Sequence, residues 1–165
     1  MREMNNEYIE QALRTNSHAV GRQVRNSLDF AHACLGLVTE YHELGNAKDE
    51  TNRREEQGDM CWYVALACHA LDIDWPDFKL KATRPLDDLV FELADMGKKW
   101  FAYGKRPTTA YVEAYLTMIL AHIDDVPDAQ RRNIRKLRAR YPDKFAPELA
   151  IVRDLDAERE ALRNE

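Results

Sequence analysis

The chain has 165 residues with 45% apolar and 32% charged side chains and a net charge of −5, enough for one domain with its own core. With a mean hydropathy of −0.61, no apolar run comes near the roughly 18 residues that a membrane-spanning helix needs. The acidic balance argues against a general nucleic-acid binder and for a small ligand, although residues 130–140 are locally basic.

Glycine and proline number six each and β-branched alternation is scarce, so the sequence predicts an all-α fold, a helical bundle. A first helix is expected over 5–15 and a second over 26–44, with Leu28, Ala31, Leu35, Val38 and Tyr41 facing inward. The turn at 45–49 breaks it. A third helix is expected over 51–71, started by a loose cap at Thr51, with Met60, Tyr63, Val64, Ala67 and Leu71 inside. Two more follow over 86–103 and 108–123, split at Tyr103-Gly104-Lys105-Arg106-Pro107, then a closing helix over 127–140 stopped by Tyr141-Pro142. Residues 148–163 form a highly charged helix (Arg153, Asp154, Asp156, Glu158, Arg159, Glu160) that must dock on the body or on a second subunit to be stable. The expected organisation is a domain over 1–147, containing a hairpin at 26–72, a second hairpin at 86–124 and the closing helix at 127–141. The charged helix at 148–165 completes it.

Two acidic pairs on the first hairpin carry the chemistry. Glu40-Tyr41-His42-Glu43 and, after twelve intervening residues, Glu56-Gln57-Gly58-Asp59 place an ExxE and an ExxD on consecutive helices. Side chains three apart share a helix face, roughly 5–6 Å apart at Cβ. Packed face to face, the helices would point four carboxylates into one volume, and hard oxygen donors that crowd together call for Mg²⁺ or Mn²⁺. A charged helix face is usually just solvated. Asp59, however, opens the apolar and aromatic stretch Met60-Cys61-Trp62-Tyr63, with no Lys or Arg in the following turn to neutralise it. The second hairpin overlays on the first as a degenerate copy. Glu43 then meets Glu92 and Glu56 meets Glu113, while Glu40 and Asp59 meet Leu89 and Leu116, so only the first copy keeps all four acids.

Cys34, Cys61 and Cys68 lie within helical patterns and read as reduced packing residues. His18, His32, His42, His69 and His122 show no paired spacing, and Trp62, Tyr63, Trp75 and Trp100 read as packing aromatics. Neither a Gly-rich phosphate loop nor a Ser or Cys nucleophile constellation is present.

Residues 34–71, with Cys-Leu-Gly-Leu-Val-Thr-Glu-x-x-Glu-Leu and then Glu-Glu-Gln-Gly-Asp-Met-Cys-Trp-Tyr, resemble the MazG-like branch of the all-α nucleoside triphosphate pyrophosphohydrolases. The start, from Tyr8 to Thr15, looks like the N-terminal helix of phage-type members. The segment from Asn133 through Lys136, Leu137, Arg140, Tyr141 and Pro142 to Phe145 is similar to the family's N-x-x-K-L-x-x-R-Y-P-x-x-F. The loop between the acidic pairs departs from the pattern. It is short and lacks the usual lysine pair, which stands instead at Lys98-Lys99 in an additional hairpin.

The resemblance implies Mg²⁺-dependent (or Mn²⁺-dependent) hydrolysis of a nucleoside triphosphate to monophosphate and pyrophosphate. Glu40, Glu43, Glu56 and Asp59 would be metal ligands, with Glu40 or Glu43 also serving as base toward the attacking water. Lys136 and Arg140 would contact phosphate, Asn133 the ligand or metal shell, and Lys48 would be a lesser phosphate contact. It further implies a cytoplasmic homodimer or higher homo-oligomer acting on a small molecule, without nucleic acid polymer or membrane. The competing expectations are a phosphoribosyl-ATP pyrophosphohydrolase and a catalytically silent helical protein that binds nucleotide or a partner.

Overall fold

The structure, a computed structural model, describes residues 2–14, 22–79, 81–141 and 155–163, and within them every regular element is a helix. The helices are α1 (Arg2–Leu13), α2 (Arg22–Gly45), α3 (Glu50–Leu71), α4 (Leu86–Tyr103), α5 (Thr109–Leu120), α6 (Val126–Arg140) and α7 (Leu155–Arg163). The all-α bundle expected from sequence is therefore the observed fold. Residues 148–154 of the expected last helix, His18 and the 142–145 end of the closing segment lie outside the described residues.

Local chemistry sets the helix ends. The side chain of Asp49, in extended conformation, accepts the Asn52 N–H at 2.8 Å and starts α3; the cap is Asp49 rather than Thr51. At the other end Asp72 adopts the left-handed conformation (φ 58°) and Ile73 N–H reaches back to Cys68 O at 3.1 Å. Gly104 (φ 67°) ends α4, where a residue without Cβ enters that region freely. Asp125 caps α6 by accepting Asp128 N–H at 2.9 Å, and Pro127 occupies the first turn, where a missing N–H is harmless.

α3 is the axis of the bundle. It packs along α2 after the turn at 46–49 and also touches α1, α5, α6 and α7. Surrounded in this way, it is buried on nearly every face from Glu56 to Leu71 rather than along one stripe. α2 is buried along Phe30, Ala33, Cys34, Leu37 and Glu40, whereas Leu35 is 62% exposed. The inward stripe expected through Leu35 is thus rotated by about one residue. The cause is that α2 packs between two partners, α3 on one side and α4 on the other, and its small residues lie at the closest approaches. That rotation carries Glu40 into the interior.

On the second hairpin, Leu89 and Leu116 are wholly buried, Glu113 is exposed, and Glu92 is held by Arg84 and the Tyr115 hydroxyl. α7 docks on α6: Arg140 forms a two-pronged ion pair with Glu158 (2.8 and 2.6 Å), and Arg135 and Arg132 donate to the carbonyls of Ala161 and Leu162 at 3.2 and 2.5 Å. The three cysteines are buried and unlinked. No helix among the described residues is long and apolar enough to cross a membrane.

The α2–α4 crossing depends on Gly97, where a Cβ would lie 3.1 Å from Cys34 Sγ and 3.3 Å from Ala31 Cα. Gly97→Val should cost about 1–3 kcal/mol in urea denaturation through overpacking. Gly45→Ala, with nothing within 4 Å of the added Cβ, should be neutral or slightly stabilising.

Candidate metal centre

The turn at 46–49 lies almost midway between the two acidic pairs, so the last turns of α2 face the first turns of α3. Glu40 and Glu43, one turn apart on α2, meet Glu56 of α3, and one carboxylate oxygen from each lies within 4.8 Å of the other two. Oxygens sharing one Mg²⁺ shell sit no more than about 4.2 Å apart, so small rotamer adjustments would let the trio share one ion.

Burial decides how the trio behaves. Glu40 and Glu56 are only 8% and 5% exposed, whereas Glu43 opens to solvent. Burial, then the charges of Asp59, Glu43 and Glu56, push the Glu40 carboxyl up to about 9. Burial and Asp59 raise Glu56 to about 7, while its hydrogen bond with Glu40 works the other way. Burial and the neighbouring acids thus favour the protonated form of Glu40, and a hydrogen bond links it to Glu56. Asn52, one turn earlier on α3, donates to Glu56 Oε1. Glu40 Oε2 is buried without any hydrogen-bond partner, a costly state for a carboxyl oxygen. An oxygen-only donor set with one buried oxygen unpartnered fits a hard divalent cation.

Asp59 lies close enough to raise both glutamates, but its own oxygens are engaged. Oδ1 accepts from Asn133 Nδ2 at 2.8 Å and Oδ2 accepts from Lys136 Nζ. Lys136 also donates to Glu55 at 3.2 Å, and Asn133 Oδ1 accepts from the Tyr8 hydroxyl at 3.0 Å. Burial alone would lower the Lys136 pKa; the charges of Asp59 and Glu55 outweigh it and hold the ammonium above its ordinary value. The cation that Asp59 lacks on its own helix thus comes from α6, 77 residues away in sequence.

Of the other expected site residues, Asn133 and Lys136 come to the cluster. Arg140 pairs with Glu158, and Lys48 is exposed on the turn that joins α2 to α3. Glu55 and Asn52 are contributors the sequence reading missed. Asn52 was legible as the i−4 neighbour of Glu56; the contact of Glu55 with Lys136 was not.

Tyr63 forms an aromatic wall beside the acids. Burial and the charges of Glu40, Asp59 and Glu43 raise its hydroxyl to about 12. Its ring lies over Gly36, where an added Cβ would come within 2.1 Å of it. Trp62 stands perpendicular to Tyr63 at 5.0 Å and donates to Ala12 O at 2.9 Å, which ties α1 to the cluster.

No family model, curated protein or solved structure matches this chain.

A carboxyl group whose folded pKa is raised binds more protons folded than unfolded. The contribution of Glu40 and Glu56 is thus fully present below about 4.5 and lost as pH rises through about 7 and about 9. Metal-free protein should lose stability over that window by at least about 1.4 kcal/mol, the equivalent of one pKa unit. Mg²⁺, which needs the deprotonated carboxylates, should restore more stability at the alkaline end than at the acid end. Thermal melts across pH in EDTA and in Mg²⁺ check both.

Proposed function

We propose that the protein is a Mg²⁺-dependent nucleoside triphosphate pyrophosphohydrolase, releasing monophosphate and pyrophosphate from (deoxy)nucleoside triphosphates. The observation that carries this reading is the convergence of Glu40, Glu43 and Glu56, of which Glu40 has a buried oxygen without a partner. The resemblance of the ExxE and ExxD pairs and of the Asn133-to-Phe145 segment to the MazG-like enzymes supplies the substrate class.

Glu40, Glu43 and Glu56 would hold Mg²⁺, and Mn²⁺ could replace it. Bound there, the ion supplies charge neutralisation for triphosphate oxygens and a more acidic water. The water oxygen forms a bond to the α phosphorus and the bond to the α–β bridging oxygen breaks, so pyrophosphate leaves with the electron pair. The proton lost by the water must reach solvent. Glu43 is the acid suited to take it, because it is exposed while Glu40 is enclosed. Tyr63 would screen the inner side of the site from water. Lys48, on the turn that joins α2 to α3, has an exposed side chain and would be a lesser phosphate contact.

A second reading is a nucleotide- or partner-binding protein without turnover. It draws on the pairing of Lys136 with Asp59 and Glu55 and of Arg140 with Glu158, which leaves these cations engaged inside the protein.

Pyrophosphate and monophosphate release from each common dNTP and NTP, with Mg²⁺ and with EDTA, separates the two readings. The enzyme should turn over with Mg²⁺ only. Glu56→Gln should keep the fold by circular dichroism and lose at least about 100-fold in turnover, the scale on which one electrostatic contact to a transition state acts. Nucleotide binding without hydrolysis of any of them would select the second reading.

A further inference from the structure

Leu28, Ala31, Leu35 and Val38 have the spacing of an inner stripe on α2, yet the structure turns them outward. Leu35 is 62% exposed and the other three are half-buried. They lie between the side of α2 that meets α4, through Cys34 and Tyr41, and the side that meets α3, through Gly36 and Glu40.

α4 carries a matching outer stripe. Asp87, Phe91, Ala94, Lys98 and Phe101 recur at steps of four and three, so they share one side of the helix. Phe91 and Phe101 are 54% and 58% exposed. α4 runs antiparallel to α2, with Trp100 beside Phe30, Gly97 beside Cys34 and Phe91 beside Tyr41. Both stripes open on the side of this pair that faces away from the buried Phe30, Leu37 and Leu93. Three of the five exposed large apolar side chains among the described residues, Leu35, Phe91 and Phe101, thus gather on one face. A contiguous apolar face of this kind marks a contact surface.

Heptad spacing suits the pairing of helices, and the charges on α4 indicate with what. The N-terminal end of its outer side is acidic, with Asp87 and Asp88. The C-terminal end is basic, with Lys98, Lys99 and, past the Gly104 cap, Lys105. Residues 87 and 105 are equally far from residue 96, and so are 91 and 101. A second copy turned about a twofold axis that crosses α4 near residue 96 therefore sets each acidic end against a basic end. It also sets Phe91 of each copy against Phe101 of the other. A twofold contact requires this self-complementarity of a single patch. An axis along the helices would instead lay α4 on the outer stripe of α2, whose four residues carry no charge.

We propose that the outer face of α2 and α4 is the interface of a homodimer, with α4 lying antiparallel on α4 and α2 antiparallel on α2. The inference is independent of the metal reading, since none of these residues belongs to the acidic cluster.

Sedimentation equilibrium of the full chain tests it across about 1–100 μM, where a dimer of moderate affinity dissociates. The wild type should approach twice the 19.2 kDa chain mass. Leu35→Lys and Phe91→Glu should each weaken pairing by at least about thirtyfold, the scale of a lost interface anchor. Their circular dichroism should stay unchanged, because both side chains are exposed in the single copy. Asp87→Lys should also weaken pairing, and Asp87→Lys/Lys105→Glu should restore it. The polarity of α4 suits its own helix dipole as well, but that role predicts no rescue by the double exchange.

A chain that stays at 19.2 kDa throughout overturns the proposal, and flotation of that monomer with phosphatidylserine vesicles would assign the face to an anionic lipid surface. A dimer untouched by Leu35→Lys and Phe91→Glu overturns the choice of face. Absence of rescue by the double exchange overturns the antiparallel arrangement. Should either apolar variant lose its helical signal, the charge exchange alone decides.

Discussion

Carboxylates gathered out of water must be neutralised, and the arrangement of this bundle follows from where the neutralising charge comes from. α2 and α3 bring Glu40, Glu43, Glu56 and Asp59 together. Burial and mutual repulsion favour protonation of Glu40 and Glu56, the Lys136 ammonium pairs with Asp59, and Glu43 stays in water. Lys136 belongs to α6, so the same ion pair that quiets Asp59 fastens α6 to α3. Removing one partner from a buried pair of this kind costs about 3–5 kcal/mol, because the other charge stays behind. Site electrostatics and bundle assembly are thus one interaction seen from two sides.

The basic character of α6 is spent in the same way. Arg132 pairs with Asp128 and the Leu162 carbonyl, Arg135 meets the Ala161 carbonyl, Arg138 meets Gln11 and Arg140 meets Glu158. Two of these contacts are to carbonyls in the last turn of α7, where the helix dipole favours cations. The same cationic segment clamps α1, α3 and α7. Were Arg140 to meet a phosphate, it would first have to leave Glu158.

Much of this was legible in the chain. Helix periods, the Gly104 break and the spacing of Glu40, Glu43 and Glu56 depend on neighbours within a turn or two, and such local signals place elements to within a few residues. The inward face of α2 was not legible. Leu35 matches an apolar stripe as well as Leu37 does, and only the presence of two packing partners, α3 and α4, selects the face through Phe30, Cys34 and Leu37. The partner of Asp59 was equally hidden. Its flanking sequence announces a buried acid that needs a cation, but Lys136 lies three helices further along the chain, and only the docking of α6 on α3 brings it in. Sequence stated the electrostatic demand; tertiary packing chose the lysine that meets it.

The unequal depth of the three glutamates then gives the site a direction. Glu40 and Glu56 are both enclosed, Glu40 with an oxygen that has no partner and a carboxyl pushed upward by burial and its acidic neighbours, Glu56 steadied by Asn52; Glu43 faces water. An arriving divalent cation would displace protons from the inner pair and leave Glu43 as the one carboxylate able to trade protons with solvent. On the metal reading a proton and a metal ion would be alternative occupants of the same cleft, each stabilising it under conditions where the other is weakly held. On the hydrolase reading that exchange separates two tasks. The enclosed acids hold charge in place, and the exposed acid moves a proton.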